Sequence, residues 1–361
     1  MMTVLYIDTF SQFGHTNLNK VFIQQFRNKG YKVSVIARTN YLEDIEVPIE
    51  DILLRIPETY YNSSAGRIRD RLLQFRILQF IKKRVSLRKY DIVFFSYFDE
   101  IVFPLSVIKG NLIFMNHSNV TGLENTLKRF FLKCIAKMGT ILVFHETIRD
   151  QFLKFGITNV IVEPLGLTLP YDNDSANNRN LLNKIDTRIV SLDYRLKIFI
   201  PTVSKYQDDF LYKVLSNDSF LNFLILNKVL LVLKDKSIEI NHPNICLLKS
   251  FLSEEIYQAV FISADFLMLH YPASFKYKVS ASLFECFSNN KPCFLSDIDA
   301  FRVFQSHFNY DPYYNSIEKF TELIQVSLDR KDLIVKYPYN NTSLLNPSLE
   351  TISSSMNQLT I

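Results

Sequence analysis

Glycine is scarce in this sequence, with only eight among 361 residues and none after Gly166. Phosphate-binding loops of the Walker and dinucleotide types need closely spaced glycines, because their backbone must approach the phosphate. The second half of the chain therefore contains no such loop, which argues against a kinase, GTPase or NAD site there. A helix N-terminus, with unpaired N–H groups and a partial positive charge, is the alternative cradle for a phosphate.

Cysteine is also sparse, and no Cys-x-x-Cys occurs among the four cysteines. Most of them lie inside apolar runs, so we interpret them as reduced core thiols of a cytosolic protein. No histidine–cysteine cluster has zinc spacing. No Gly-x-Ser-x-Gly is present, and no cysteine has a clear histidine partner, so a nucleophilic hydrolase has little support.

Long hydrophobic runs are missing. The longest, 220–233, is interrupted by Asn222, Asn227 and Lys228, so it falls short of a membrane span. The first residues show no basic region followed by a long apolar run, and we expect no signal peptide. The formal net charge of +5 is modest and compatible with an anionic partner.

The length and pattern of the chain predict two α/β domains. A chain of 361 residues is long for one core. Short apolar strands alternate with helical segments, first from Thr3 and again from Leu196, which indicates parallel sheets. Residues 171–183 are rich in Asn, Asp and Ser, so a linker is placed at 168–190. The predicted parts are 1–167, the linker 168–190, 191–345, and a tail 346–361.

The most informative segment, 280–297, predicts a short helix, a sharp stop and a buried strand. Ser280 and Ser282 are candidate N-caps. Asn290 lies where a left-handed residue ends a helix, and Pro292 cannot continue one. A helix start suits a phosphate, and a carboxylate one turn inside, Glu285, can accept hydrogen bonds from sugar hydroxyls. The segment indicates a nucleotide-sugar site, with an ordinary β-α-β edge as the alternative.

Residues 284–297, Phe-Glu-Cys-Phe-Ser-Asn-Asn-Lys-Pro-Cys-Phe-Leu-Ser-Asp, resemble the donor-binding segment of GT-B glycosyltransferases, especially the retaining GT4-like group (glycosyl transferases group 1). That group tends to have Leu-Glu-Ala-Met-Ala-x-Gly-Lys-Pro-Val-Val-x-Ser-Asp, and Glu285 takes its nucleotide-ribose carboxylate position. The family often carries Glu-Gly-Phe-Gly eight residues earlier, where this chain has Tyr-Lys-Val-Ser. Ser280-Ala281-Ser282-Leu283 is closer to the Ser-Gly-x-Leu of some polysaccharide-assembly relatives.

This resemblance, specific over about 264–300, implies a fold and an activity. The fold is GT-B, with two Rossmann-like α/β domains facing across a cleft, and the tail is a candidate to cross back to the first domain. The activity is transfer of a sugar from a nucleoside-diphosphate donor to a glycan or lipid-linked acceptor in surface polysaccharide biosynthesis. The C-terminal domain would bind the donor through Glu285, the helix start and a histidine at the rim. These donor-side residues are Ser280, Ala281, Ser282, Leu283, Glu285 and His270.

Further site residues follow from the resemblance and from strand ends. His117 follows a predicted strand at the carboxyl edge of a parallel sheet, where ligands bind, and the GT4-like group often places a histidine there facing the sugar. Lys205 is the candidate cation for the departing diphosphate, whose growing charge needs a fixed positive group. Gly14 and His15 border the first edge and are acceptor-side candidates. A purely structural role is the alternative for each histidine.

No cofactor or metal is predicted, because a helix dipole and Lys205 can balance the diphosphate charge. Asp297-Ile298-Asp299 and Asp172-Asn173-Asp174 match the Asp-x-Asp with which GT-A enzymes hold Mn²⁺ or Mg²⁺. Three-residue matches are common by chance. The match at 297–299 is explained by the alignment with the GT-B segment, and the match at 172–174 lies in the predicted linker.

The segment 67–89 carries nine basic residues and one acid, with apolar residues between them. It predicts a helix that either packs on the sheet or lies on an anionic membrane. Several GT-B enzymes that act on lipid-linked acceptors dock through such helices, which favours the membrane. We expect a cytoplasmic protein. If the helix lies on the membrane, the protein would be peripheral on the inner membrane face. No nucleic-acid module is present.

Two other functions stay open. One is a GT-B nucleotide-sugar 2-epimerase, which would need additional acids and histidines in the cleft. The other is a non-catalytic nucleotide-sugar or glycan-binding partner in a biosynthetic complex. The missing first acid and the missing glycines before Ser280 favour this second alternative.

Overall fold

A computed structural model describes residues 1–10, 15–61, 67–117, 119–163, 170–171, 175–201, 209–235, 238–248, 252–275, 277–330, 332–333 and 335. Two compact units are present. The first contains the described residues up to 163 together with the short segment 277–279, and the second contains the other described residues from 170 to 335.

The first unit is built on a parallel sheet of seven strands with the order β3-β2-β1-β4-β5-β6-β7. The order reverses between β1 and β4, which creates a switch point at the carboxyl ends of these strands. The strands are β1 Thr3–Ile7, β2 Lys32–Arg38, β3 Ile52–Ile56, β4 Ile92–Phe95, β5 Leu112–Met115, β6 Gly139–Val143 and β7 Val160–Val162. The helices are α1 Thr16–Asn28, α2 Tyr41–Asp44, α3 Arg67–Arg84, α4 Val102–Leu105, α5 Thr126–Met138 and α6 Glu146–Lys154.

The second unit repeats this plan with six parallel strands in the order β10-β9-β8-β11-β12-β13. Its switch point lies between β8 and β11. The strands are β8 Leu196–Ile200, β9 Val229–Leu233, β10 Ile245–Leu247, β11 Phe266–Leu269, β12 Cys293–Ser296 and β13 Tyr313–Tyr314. The helices are α7 Ser175–Asn183, α8 Thr187–Val190, α9 Phe210–Leu215, α10 Asp218–Leu226, α11 Glu254–Ser263, α12 Ala281–Ser288, α13 Asp299–Arg302 and α14 Ile317–Asp329.

Continuous apolar runs explain why these strands form sheet interiors. All residues of β4, β5, β9 and β11 are buried, as expected for parallel strands whose two faces are both covered by helices. The predicted fold class, two Rossmann-like α/β domains, is confirmed by these two sheets.

The segment predicted as a linker, 168–190, carries two helices in its described part, α7 and α8. Leu182 and Ile189 are each 1% exposed, and the Asp186 side chain caps α8 by accepting a hydrogen bond from the N–H of Arg188 at 2.9 Å. Residues 175–190 therefore belong to the folded second unit. The polar composition of this segment did not reveal two short helices, each of which buries an apolar side chain. The tail 346–361 lies outside the described residues.

The apolar run 220–233 is a helix followed by a strand. Asn217 caps α10 by accepting from the N–H of Phe220 at 2.8 Å, and Lys228, with a φ of 53°, turns the chain into β9. A single hydrophobic stretch thus contributes two elements to one core. Among the described residues, no helix combines the length and the apolar character that crossing a membrane requires.

Candidate functional site

The start of α12 has the local structure that its sequence predicts. The Ser280 hydroxyl oxygen accepts a hydrogen bond from the N–H of Leu283 at 3.3 Å, and its O–H donates to the Tyr271 hydroxyl at 3.3 Å. Asn290 has a φ of 49°, the left-handed conformation that ends a helix. Of the two candidate caps, Ser280 is the one that caps, and Ser282 lies inside the first turn.

The first turn of α12 is open at two positions. Ala281 is exposed and Ser282 is half-buried, whereas Ser280 and Leu283 are buried. The N–H groups of Ala281 and Ser282 have no acceptor among the described residues, as is usual for the first positions of a helix. An anion can therefore reach the N–H groups of Ala281 and Ser282, while the N–H of Leu283 is already used by the cap.

Glu285 lies one turn further along α12 and is half-buried. It accepts a hydrogen bond from the hydroxyl of Tyr257, on α11, at 2.8 Å. Tyr171 is a second neighbour, since burial and then the Glu285 carboxylate raise its pKa. The carboxylate thus lies among hydroxyl groups that orient it, and each carboxylate oxygen can accept more than one hydrogen bond.

Lys234 extends this cluster. It follows β9 directly, and its N–H donates to the carbonyl of Ile200 at the end of β8 at 3.1 Å. Burial lowers the pKa of Lys234, and the nearby Glu285 carboxylate raises it in part. Its ammonium lies 5.6 Å from the centre of the Tyr257 ring. A cation, a carboxylate and two tyrosines therefore meet at the carboxyl edge of the second sheet. The sequence analysis missed Lys234 and Tyr257, although a polar residue directly after β9 was a usable signal.

His270 follows β11 at the same edge but belongs to another set of contacts. Its Nδ1 lies 3.1 Å from the Tyr314 hydroxyl, and its ring stacks on Phe210 with centroids 4.7 Å apart. These contacts give it a packing role in addition to the predicted rim position. Lys205, the predicted diphosphate cation, lies outside the described residues.

Asp297 forms an ion pair with Arg302. Its two carboxylate oxygens accept hydrogen bonds from Arg302 at 2.6 and 2.8 Å, and this pairing lowers the pKa of Asp297. Asp299 begins α13. Asp172 and Asp174 lie outside the described residues. Within the described part of the chain, no group of three or more His, Cys, Asp or Glu side chains could hold a metal ion.

The switch point of the first sheet brings two predicted residues together. His117 follows β5, and its Nε2 lies 2.6 Å from the carbonyl oxygen of Ser96, which follows β4. The ring of His15 stacks on that of His117, with centroids 4.4 Å apart and planes 11° from parallel. A carbonyl oxygen only accepts, so Nε2 carries the proton and Nδ1 is left with a lone pair. Gly14 lies outside the described residues.

The surroundings of both imidazoles lower their pKa and so favour the neutral form. Burial, and then the neighbouring His15, lower the pKa of His117 to about 3, while the Ser96 carbonyl raises it slightly. Burial also lowers the pKa of His15, with a partial increase from Asp8. This pair can accept a hydrogen bond, but it does not supply a resting positive charge.

Asp8, which the sequence analysis did not single out, is a buried acid at this edge. It is 1% exposed, follows β1, and accepts a hydrogen bond from the N–H of Phe10 at 2.8 Å. Asn19 on α1 donates to its other oxygen. The position directly after the first strand was the available signal, because it lies at the switch point.

A pH dependence of stability follows from His117. Its pKa of about 3 in the folded protein lies below the unfolded value of about 6.5, so the unfolded chain binds more protons between these pH values. The free energy of unfolding therefore rises with pH across this window, by up to about 1.4 kcal/mol per pH unit for one proton. We expect His117→Gln to lose this contribution, so that the free energy of unfolding by urea rises less steeply from about pH 4 to about pH 6.5 than in the unmodified protein. Identical slopes would show that His117 titrates normally.

Comparisons with known proteins found structures with a similar fold but no matching sequence family. No protein-family model matches this chain, and no curated protein matches it. The N-terminal domain of trehalose-6-phosphate phosphatase from Candida albicans is 13% identical, with a TM-score of 0.62, covering 98% of this chain and 93% of that one. Anabaena Alr3699/HepE, solved in complex with UDP and glucose, is 12% identical, with a TM-score of 0.62 and coverages of 98% and 95%.

A third solved structure is the UDP-N-acetylglucosamine 2-epimerase from Rickettsia bellii. It is 14% identical, with a TM-score of 0.55 and coverages of 98% and 96%. Identities this low establish the architecture alone. The two parallel sheets and these matches over nearly the full length together show that the chain has the GT-B glycosyltransferase fold, as the resemblance implied.

Proposed function

We propose that this protein is a glycosyltransferase that moves a sugar from a nucleoside-diphosphate donor to a glycan or lipid-linked acceptor in surface polysaccharide biosynthesis. One observation carries the proposal. The capped start of α12 leaves two N–H groups for an anion, and the oriented carboxylate of Glu285 lies one turn further on. The likeness to Anabaena Alr3699/HepE, solved with UDP and glucose, supports a nucleotide sugar as the ligand.

The donor would bind along α12. The diphosphate accepts hydrogen bonds from the N–H groups of Ala281 and Ser282, where the helix dipole favours negative charge. The ribose hydroxyls donate to Glu285, about one helical pitch of 5.4 Å away. The hydroxyl of Tyr257 orients that carboxylate, and the positive charge of Lys234 lies near enough to interact with it. In this proposal the second domain binds the donor and the first domain binds the acceptor.

The chemistry of the transfer needs a stabilised leaving group and an oriented acceptor. The α12 dipole and Lys205 would balance the charge of the departing diphosphate without a metal or a cofactor. On the acceptor side, His117 offers a neutral imidazole with a lone pair at Nδ1, which is suited to accept a hydrogen bond from a sugar hydroxyl and so to orient it. A lipid-linked acceptor would place the protein on the inner face of the cytoplasmic membrane.

A nucleotide-sugar 2-epimerase is the second candidate, because an epimerase is among the solved structures with this fold. An epimerase needs no acceptor. It would convert the donor sugar to its 2-epimer within the same nucleotide-bound state, and the buried Asp8 beside His15 supplies an acid in addition to the two histidines at that edge.

Calorimetry with UDP and GDP, followed by donor turnover, tests the proposal. We expect one of the two nucleotides to bind. With the matching nucleotide sugar as donor, the free nucleotide should be produced faster when membrane lipid extract is supplied as acceptor. Formation of a 2-epimer without acceptor would support the epimerase. Binding without turnover would support a non-catalytic partner that binds nucleotide sugars. If neither nucleotide binds, the transferase, the epimerase and this nucleotide-sugar-binding partner are all contradicted.

A further inference from the structure

An aromatic row follows the carboxyl edge of the first sheet and consists of Phe10, His15, Tyr97 and His117. Phe10 and His15 lie between β1 and α1. Tyr97 follows β4, and His117 follows β5. The rings of Phe10 and Tyr97 stack, with centroids 4.3 Å apart and planes 12° from parallel. The centroids of Phe10 and His15 are 5.6 Å apart. Since His15 stacks on His117, ring contacts link Tyr97 to the histidine pair.

The backbone beside Phe10 is held by side chains from three other parts of the first unit. The N–H of Phe10 donates to the Asp8 carboxylate at 2.8 Å. The carbonyl oxygen of Thr9 accepts hydrogen bonds from the side-chain amide of Gln74, on α3, at 3.0 Å and from the hydroxyl of Tyr61 at 3.3 Å. These bonds fix the position of the Phe10 ring before any ligand arrives. A preformed surface loses less conformational entropy on binding.

The rings of the aromatic row are accessible to a ligand. All four residues are half-buried, so part of each stays exposed. The Tyr97 hydroxyl has no hydrogen-bond partner within the described part of the chain. Burial, and then the carboxylates of Asp99 and Glu100, raise the pKa of Tyr97 to about 12. The phenol therefore stays protonated at neutral pH and can donate a hydrogen bond.

The charged groups beside Tyr97 are paired with one another. Asp99 accepts a hydrogen bond from Arg71 at 3.0 Å, and the ammonium of Lys128 lies 2.7 Å from the Glu100 carboxylate. Each of these cations therefore already has a carboxylate partner. Because an anionic ligand would have to compete with these carboxylates, the aromatic row suits an uncharged ligand better than a phosphate.

The chemistry of a sugar ring matches this surface. A pyranose has hydroxyl groups at its rim and C–H groups on its faces. An aromatic face carries partial negative charge, which attracts the slightly positive hydrogens of C–H groups. Small-molecule sites combine such aromatic lining with a few polar groups that fix the orientation of the ligand. The Tyr97 hydroxyl and the lone pair at Nδ1 of His117 are polar groups of this kind, one at each end of the aromatic row.

We propose that the aromatic row binds an uncharged sugar ring, which is the terminal sugar of the acceptor. C–H groups of this ring lie against Phe10 and Tyr97, and its hydroxyls bind the Tyr97 hydroxyl and Nδ1 of His117. The inference rests on the proposed function for the identification of this sugar as the acceptor. It goes beyond that function because it selects a neutral glycan end over a lipid phosphate or a sugar phosphate. Phe10 and Tyr97 are then the residues that determine acceptor specificity.

Saturation-transfer NMR of the full chain tests this sugar site. The probes are the methyl glycosides of glucose, galactose, mannose and N-acetylglucosamine, with glucose 6-phosphate as the charged counterpart. At least one neutral glycoside should bind, with the largest saturation at its ring C–H protons, and glucose 6-phosphate should bind more weakly. Tyr97→Ala should weaken binding of that glycoside roughly tenfold, because it removes both the ring and the hydroxyl. Tyr97→Phe keeps the ring and should weaken binding only about threefold.

Phe130→Ala is the control variant. Phe130 is another aromatic ring of the first unit, 59% exposed on α5, and its replacement should leave binding of the glycoside unchanged. Equal binding by Tyr97→Ala and Phe130→Ala would overturn the proposal. Stronger binding of glucose 6-phosphate than of every neutral glycoside would also overturn it, and so would a failure of all the neutral glycosides to bind.

Nucleotide calorimetry and thermal unfolding of the same samples keep the two proposals apart. The variants should match the unmodified protein in both measurements, which shows that they are folded. If Tyr97→Ala fails to fold, the threefold loss expected for Tyr97→Phe decides the question. A protein that binds the nucleotide but no neutral glycoside contradicts only the sugar site. A protein that binds a neutral glycoside through Tyr97 but neither UDP nor GDP contradicts the transferase and supports the sugar site.

Discussion

Glu285→Gln should lower the affinity for the nucleoside diphosphate by about 10- to 100-fold, as measured by calorimetry. A hydrogen bond to a charged group contributes about 1.5–3 kcal/mol, and each 1.4 kcal/mol changes an equilibrium constant about tenfold. The amide keeps the size of the side chain but loses the charge and one acceptor oxygen. Because Glu285 is half-buried and oriented by Tyr257, its replacement also disturbs a preformed arrangement.

Two variants serve as controls for this result. Tyr257→Phe keeps the carboxylate and removes only the hydroxyl that orients it, so we expect a loss of a few-fold. Glu255→Gln removes an exposed acid in the first turn of α11 and should leave the nucleotide affinity unchanged. An unaltered affinity in Glu285→Gln, or an equal loss in Glu255→Gln, would contradict the assignment of the ribose site.

Gly139→Ala should destabilise the first domain by about 3 kcal/mol or more, which is among the larger effects of a single substitution. A Cβ at Gly139 would lie 2.3 Å from the carbonyl oxygen of Leu112 and 2.7 Å from its Cβ. These two residues pair in the β5–β6 register, so the neighbouring backbone would have to move. The midpoint of urea unfolding measures the loss.

Gly110→Ala is the matched control for this clash. Its added Cβ would meet a Leu112 side-chain carbon at 3.4 Å, an ordinary contact, so we expect a change within about 1 kcal/mol. Equal unfolding midpoints for Gly139→Ala and Gly110→Ala would mean that β5 and β6 do not pair in this register.

Much of the fold was predictable because parallel strands buried on both faces are continuous apolar runs, as in β1 and β9. The boundaries of α12 were predictable from cap chemistry at Ser280 and Asn290. The edge strand β3 was missed, since its alternation of exposed and half-buried residues is not that of a buried run. Helix α10 was missed because it continues into β9 without a change in hydrophobicity.

The site residues that lie at strand or helix ends could be predicted from the sequence. The residues that reach the site only through tertiary contacts could not. Glu285 follows from its register, and His15 and His117 follow from their positions after strands. The contact of Tyr257 with Glu285 joins residues 28 positions apart, and no local pattern encodes it. The approach of Lys234 to Glu285 likewise depends on how β9 and α12 are placed in the second unit.

A crystal structure of the protein with a bound nucleoside diphosphate tests the central claim most directly. We predict diphosphate oxygens about 3 Å from the N–H groups of Ala281 and Ser282, and a ribose hydroxyl at hydrogen-bond distance from Glu285. A nucleotide bound elsewhere on the chain, with the start of α12 free of ligand, would contradict the account.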